Sequence, residues 1–223
     1  AGPDRLWTGH NFRFFAGVKA LLDDVQHGRF GRPIGLSIVM GHGGRAEDST
    51  SWKLDKERAG GGALIDPGIH LIDLCRIAAN TLEFSGGETW RGFWQTGVEE
   101  ECRLLLRGER IPIIDLTISI VRWRSTFRIE FFGTDGYGIV QGRGRSYGVQ
   151  SYRRGGRWGW KSGQAQDETE EEVVTTTGED SFADELEALL FGIPSPNAVS
   201  VPCSAEESLM NMAVLEMLRD KLG

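Results

Sequence analysis

Between residues 82 and 177 the chain is written as a series of short β-type runs, and two of them fix what kind of sheet they build. In DLTISIV, Leu116, Ile118 and Ile120 fall on one side of an extended chain, with Thr117 and Ser119 on the other. In RIEF, Ile129 and Phe131 alternate in the same way with Arg128 and Glu130. Period-two alternation marks antiparallel strands with one buried and one polar face, whereas a doubly covered parallel sheet reads as continuous apolar runs. The runs LEFSGGETWRGFWQ, VEEECRLLLRG, STFRIEFFG and YGIVQG are divided by Gly, Pro or polar turns. The acidic run DETEEE (167–172) is expected to be a solvated loop leading into a last strand, EVVTTT.

A one-faced sheet needs cover, and helical patterns flank it on both sides. Val18, Leu21, Leu22 and Val25 recur at i, i+3, i+4 and i+7, which predicts an amphipathic helix over 14–27, stopped by Gly28. Gly31-Arg32-Pro33 then launches a strand near 34–42, and a second helix begins in GGGALIDPGIHLID (60–73) and ends near Asn80. Ser181-x-x-Asp184 resembles a capping box, and Ser204-x-x-Glu207 is a complete one, so two more helices close the chain. The last is apolar around most of its circumference and is expected to pack between the sheet and another element. The fold class predicted is α+β: a large, mostly antiparallel, open-faced sheet with helices packed on one face, residues 1–223 forming one domain. Trp90, Phe93, Trp94 and Trp123 supply more aromatic surface than a solvated face needs, which suggests a homo-oligomer joined sheet to sheet.

Charge and cysteine content narrow the functional classes. A net charge of −7 argues against a general nucleic-acid binder. Arg143, Arg145, Arg153, Arg154 and Arg157 cluster, but glycines and aromatics interleave them, and the expectation is a solvated hairpin. Cys75, Cys102 and Cys203 are odd in number and widely spaced, with no CxxC, so reduced thiols in a cytoplasmic protein are expected, with no metal centre. No apolar run approaches the roughly 20 residues of a membrane helix, and no signal peptide is visible.

Asp66, His70 and Asp73 stand at i, i+4 and i+7, on one stripe of an otherwise apolar helix. An imidazole beside a carboxylate can act as a general acid/base near neutral pH. Equally, Asp66 before Pro67 is a common helix start, with His70 a core histidine and Asp73 a surface residue or an ion-pair partner. Glycines 60–62 let another molecule or chain segment approach the backbone. Spacing alone leaves both readings standing.

GGGALIDPGIHLIDL resembles the GGGxLxDxGxHxxD signature in the C-terminal half of the Gfo/Idh/MocA oxidoreductases, NAD(P)-dependent dehydrogenases of sugars, sugar derivatives and inositols. GHNFRF (9–14), HGRFGRPIGLSI (27–38) and FFGTDG (131–136) resemble further family stretches in the same order. The resemblance implies that His70 exchanges a proton with the substrate and that Asp66 holds the substrate or tunes the ring. Asn11 and Arg13, at the family's NxRF positions, would line the cleft. Trp52, Lys53 and Asp73 join them as expected contacts of a carbohydrate-like small molecule: a ring face for a sugar, a cation for an anionic group. NAD or NADP is implied for a full-length enzyme, with none expected on this chain alone. The family's nucleotide domain carries GxGxxG and a catalytic Lys in an EKP-type motif; neither is found here, and GRGRSYG (142–148) has the wrong spacing. The expectation is therefore the substrate-binding and oligomerisation domain of a two-domain dehydrogenase, inactive by itself. The alternative is a stand-alone carbohydrate-binding or oligomerisation module. Pro67 directly after Asp66 departs from the usual motif and could change the aim of that carboxylate.

Overall fold

The strand β2 (Pro33–Gly41) carries Leu36, Ile38 and Met40 on its buried side and lies near the middle of an eight-stranded sheet. The structure, a computed structural model, describes residues 6–158, 171–177, 180–192 and 201–223. The other strands are β3 (Leu82–Trp90), β4 (Glu101–Gly108), β5 (Ile114–Ser119), β6 (Thr126–Gly133), β7 (Gly136–Gln141), β8 (Gln150–Gly156) and β9 (Glu172–Thr177). Their order is β3-β4-β5-β2-β6-β7-β8-β9, and every pair is antiparallel except β2 with β5. The expected apolar side is in place, with Ile114, Leu116 and Ile118 of β5 and Phe127, Ile129 and Phe131 of β6 all buried. Thr117 and Ser119 on the other side of β5 are buried as well, so that strand does not alternate in burial as expected.

Helices cover that buried side. The helix α1 (Ala16–Gln26) packs over β7, β8 and β9 through Val18, Leu21 and Leu22. Tyr152 on β8 ties it down by donating its hydroxyl proton to Asp24 Oδ2 at 2.6 Å. After the single turn α2 (Lys56–Ala59), the helix α3 (Gly68–Ala79) places Leu71, Ile72 and Leu74 against the core. Two further helices are α4 (Ser181–Phe191) and α5 (Ala205–Leu222). A two-residue pair joins β1 (Trp7–Thr8) to β10 (Cys203–Ser204).

Local detail departs from the sequence reading in several places. Ser204 and Glu207 form the expected capping box of α5, but α4 is preceded by Asp180, and the Ser181 hydroxyl instead accepts from Asn11 Nδ2 at 2.9 Å. On α5 only Asn211, Leu215 and Leu218 are buried; the helix leans on α3 and β3 and leaves Leu209, Met210 and Met212 exposed. Of the four aromatics only Trp90, opposite Glu101, stands on the open sheet face. Phe93, Trp94 and Trp123 lie in the connections beyond β3 and β5, with ring centroids 4.9 and 4.8 Å apart, and Trp90 ends β3. The arginine cluster is only partly solvated, since Arg154 pairs with both Asp24 and Glu172. Residues 167–170 of the acidic run lie outside the described residues, and Glu171 accepts a hydrogen bond from the Tyr137 hydroxyl. No described helix is long and apolar enough to cross a membrane.

Candidate active site

The segment ahead of α3 is shaped by a neighbouring loop. A Cβ at Gly62 would collide with the carbonyl oxygen of Glu99, which accepts from the Ala63 N–H at 2.8 Å. The Glu99 carboxylate also takes the N–H groups of Gly62 and Leu64. The close approach that the glycines permit is thus made by a segment of this same chain. A helical turn, with Asp66 N–H bonded to Gly62 O, then carries the chain into α3. Pro67 occupies the N-cap position, so the Asp66 side chain does not cap the helix.

It is free to turn outward, and Lys53 Nζ meets both its oxygens, at 3.2 and 2.9 Å, in a half-exposed ion pair. This pair lines a pocket of about 410 Å³ together with His42, Arg45, Asp48 and Trp94. His42 follows β2, with its N–H on Ser119 O and its Nδ1 accepting from the Gly44 N–H. Trp94 is held in place because the buried Glu100 carboxylate accepts from the Phe93 and Trp94 amides at 2.9 Å. Trp52 is 54% exposed and outside the lining, so Trp94 supplies the pocket's indole.

His70 stands one turn along from Asp66. Its ring stacks on Phe12 at 4.5 Å and meets His10 edge-on at 5.2 Å. Its Nδ1 is buried with no hydrogen-bond partner among the described residues. Burial, reinforced by the neighbouring His10, lowers its pKa to about 4, so the imidazole is neutral at pH 7. Burial likewise lowers His42, against the pull of Asp66.

Asp73 and Arg13 are elsewhere. They are 0% and 1% exposed and engage each other, with Nε to Oδ2 at 2.7 Å and a second nitrogen to Oδ1 at 2.6 Å. Asn211 Nδ2 donates to the same carboxylate at 2.7 Å, and Arg13 also reaches Val201 O and Glu207. Asn11 is buried on Ser181. These three residues fasten α3, α4, α5 and the turn Asn11–Phe14 together rather than facing the pocket. His10, Asp73 and Cys203 bring ligand atoms within 4.8 Å of one another, but the guanidinium of Arg13 already neutralises Asp73, and burial raises the Cys203 thiol pKa. That cluster is a structural knot. A second cleft, of about 480 Å³, lies between Gly60–Gly61 and the end of α5, and no histidine lines it.

Sequence reasoning does not assign His42, Trp94 or Arg143 to the site: Trp94 reads as oligomer surface and Arg143 as part of a solvated hairpin. The Arg143 guanidinium lies 4.0 Å from the Tyr147 ring centroid and 5.2 Å from that of Phe12.

The family model for the GFO/IDH/MocA C-terminal domain matches residues 18–138. Among curated proteins, a 1,5-anhydro-D-fructose reductase of Ensifer adhaerens is 33% identical over 76 residues, covering 34% of this chain and 22% of its own length. Among solved structures, KijD10, a 3-ketoreductase from Actinomadura kijaniata in complex with NADP and TDP-benzene, superposes with a TM-score of 0.69 at 19% identity. That match covers 96% of this chain and 62% of KijD10. The UDP-N-acetylglucosamine 3-dehydrogenase GnnA from Acidithiobacillus ferrooxidans gives 0.67 at 16% identity, over 96% of this chain and 60% of its own. At such identities the likeness is one of fold. The chain spans about three fifths of these solved relatives and less than a quarter of the curated one.

Proposed function

Because this chain belongs to the Gfo/Idh/MocA family, as its C-terminal domain, we propose that it is the substrate-binding half of an NAD(P)-dependent oxidoreductase acting on a hydroxyl or carbonyl carbon of a sugar, sugar derivative or polyol. The observation that supports this best is the placement of a neutral, half-buried imidazole, His70, one helical turn behind the Lys53–Asp66 pair that lines an open pocket, His70 itself standing outside that lining.

The described residues offer no cradle for a dinucleotide pyrophosphate. The glycine-rich turn 142–148 joins two strands, and a Cβ at Gly142 would strike the carbonyl oxygen of Val149, so that glycine serves strand closure. In this reading a separate domain holds the dinucleotide. What this chain contributes is orientation and a proton site. Lys53 donates and Asp66 accepts hydrogen bonds from sugar hydroxyls, and Trp94 gives an apolar wall for the ring. His70, neutral at pH 7, takes the hydroxyl proton as the carbonyl forms and returns it in the opposite direction.

The test is an assay of the protein at its natural gene length, loaded with NAD⁺ or NADP⁺. Nicotinamide reduction with at least one member of a panel of aldoses, inositols, uronates and nucleotide sugars is expected. A folded, dinucleotide-loaded protein that turns over none of them overturns the reading.

The same reading gives the open sheet face the role of joining copies of the chain. Leu105 and Phe132 stand there 47% and 40% exposed, among charged neighbours. Phe132→Glu is expected to lower the mass seen by light scattering while leaving the circular dichroism unchanged. A wild-type protein that is already monomeric sinks the idea.

A further inference from the structure

We propose that Arg143 anchors an oxyanion, so that the substrate is an acidic carbohydrate derivative bearing a carboxylate or phosphate rather than a neutral sugar. The inference rests on the carbohydrate reading above and narrows it.

The backbone that carries Arg143 is held firmly. Gly142 takes a φ of +76°, and its carbonyl accepts from Gln150 Nε2 at 3.3 Å. Gln150 is itself buried, and its Oε1 accepts from the Gly17 N–H at 2.7 Å, which links the loop to the start of α1. From this base the guanidinium lies on the rings of Tyr147, Phe12 and Phe15, at 4.0, 5.2 and 6.0 Å. Phe12 is the ring on which His70 stacks, so Arg143 and the proposed proton site share one aromatic wall.

Unlike Arg13 and Arg154, Arg143 meets no carboxylate among the described residues. Arg13 is matched by Asp73, and Arg154 by Asp24 and Glu172. Among the described residues Arg143 has only aromatic faces, and its Nε is buried with no acceptor. A buried donor without an acceptor is unfavourable, and cation–π contact offsets this only in part. The charges lining the neighbouring pocket balance among themselves. Lys53 cancels Asp66, Arg45 and Asp48 line the pocket with opposite signs, and His42 and His70 are neutral. Arg143 is not itself among the lining residues of the Lys53–Asp66 pocket; the Phe12 ring, which touches both its guanidinium and the His70 imidazole, ties it to the site. Its charge adds to burial in lowering the His42 pKa. A guanidinium fork takes a carboxylate or phosphate through paired N–H donors, and such an anion would satisfy both the charge and the Nε–H.

The test is calorimetric titration of the natural-length protein with D-glucuronate, D-glucose 6-phosphate and D-glucose at low salt. At least one anionic ligand is expected to bind about tenfold or more tightly than glucose, with the advantage shrinking as salt screens the charge. Whichever anion binds better identifies carboxylate or phosphate as the preferred group. Arg143→Met should erase the advantage and Arg143→Lys should keep part of it. To exclude a merely structural effect, NMR titration of Arg143→Met should show the His42 pKa moving up once the cation is gone. The anchor is overturned if wild type shows no preference for either anion, absence of binding included, or if the preference survives in Arg143→Met. Nicotinamide-linked turnover of neutral sugars with no anion preference would remove the anchor and leave the oxidoreductase reading standing. Anion preference without turnover would do the reverse.

Discussion

His70→Ala in the natural-length enzyme is expected to lower turnover by roughly 10²–10⁴ with a modest change in KM, the range for losing a positioned acid/base. Truncation also opens space beside Phe12 and His10, so a variant that keeps the volume is needed as well. His70→Gln retains polar bulk but not the proton function, and it should lose a similar factor. A rate within about threefold of wild type in both variants would sink the assignment. The same ring predicts a pH signature in stability. Unfolded histidine takes its proton near 6.5, while folded His70, depressed mainly by burial, takes it near about 4. Between these values the unfolded chain binds the extra proton, so stability falls as pH drops, and above about 6.5 this contribution is flat. His70→Gln should therefore gain on wild type in denaturant titrations as the pH is lowered from 6.5 towards 4. Parallel profiles would mean that the ring is not held neutral by its surroundings.

Asp73→Ala is expected to cost about 3–5 kcal/mol of folding stability, the penalty for leaving one member of a buried ion pair unmatched. For a chain of this size that corresponds to a fall in Tm of roughly 6–20 °C. Burial disfavours the charge on Arg13, but the hydrogen bonds and charge of Asp73 outweigh it and raise the guanidinium pKa. Remove the carboxylate and Glu207 remains only as a more distant, partly exposed partner, while Asn211 loses its acceptor. The double change Asp73→Leu with Arg13→Met should recover most of the loss, because packed apolar groups replace a buried pair at little cost. If Asp73→Ala unfolds within about 0.5 kcal/mol of wild type, the knot contributes no more than an ordinary surface contact.

Much of the architecture could be read from residue order because it depends on local periodicity. The apolar positions of DLTISIV and the alternation in RIEF place their own burial, and Val18, Leu21 and Leu22 place α1 against the sheet. The parallel pairing of β2 with β5 could not be read, since it joins segments far apart in the chain. The candidate site divides the same way. Asp66 and His70 are four residues apart, so helical geometry relates them, and Lys53 lies close by in sequence. Asp73 shares their stripe, but what it meets depends on where Arg13 and Asn211 arrive from other elements. His42, Trp94 and Arg143 each lie in a connection, where no periodicity operates. Arg143 in particular reads as one solvated arginine among five until the aromatic rings beneath it are seen.

The place of β2 in the sheet has a consequence for how the molecule is made. Its two neighbours, β5 and β6, are synthesised roughly seventy or more residues after it. At a translation rate of about 5–20 residues per second, Leu36, Ile38 and Met40 spend several seconds without strand partners. Among the described elements already made by then, α1 and α3 supply side chains beside Leu36 and Ile38. Refolding should therefore be slow for a chain of this length, and the interval between the emergence of β2 and that of β6 is when a chaperone would find it.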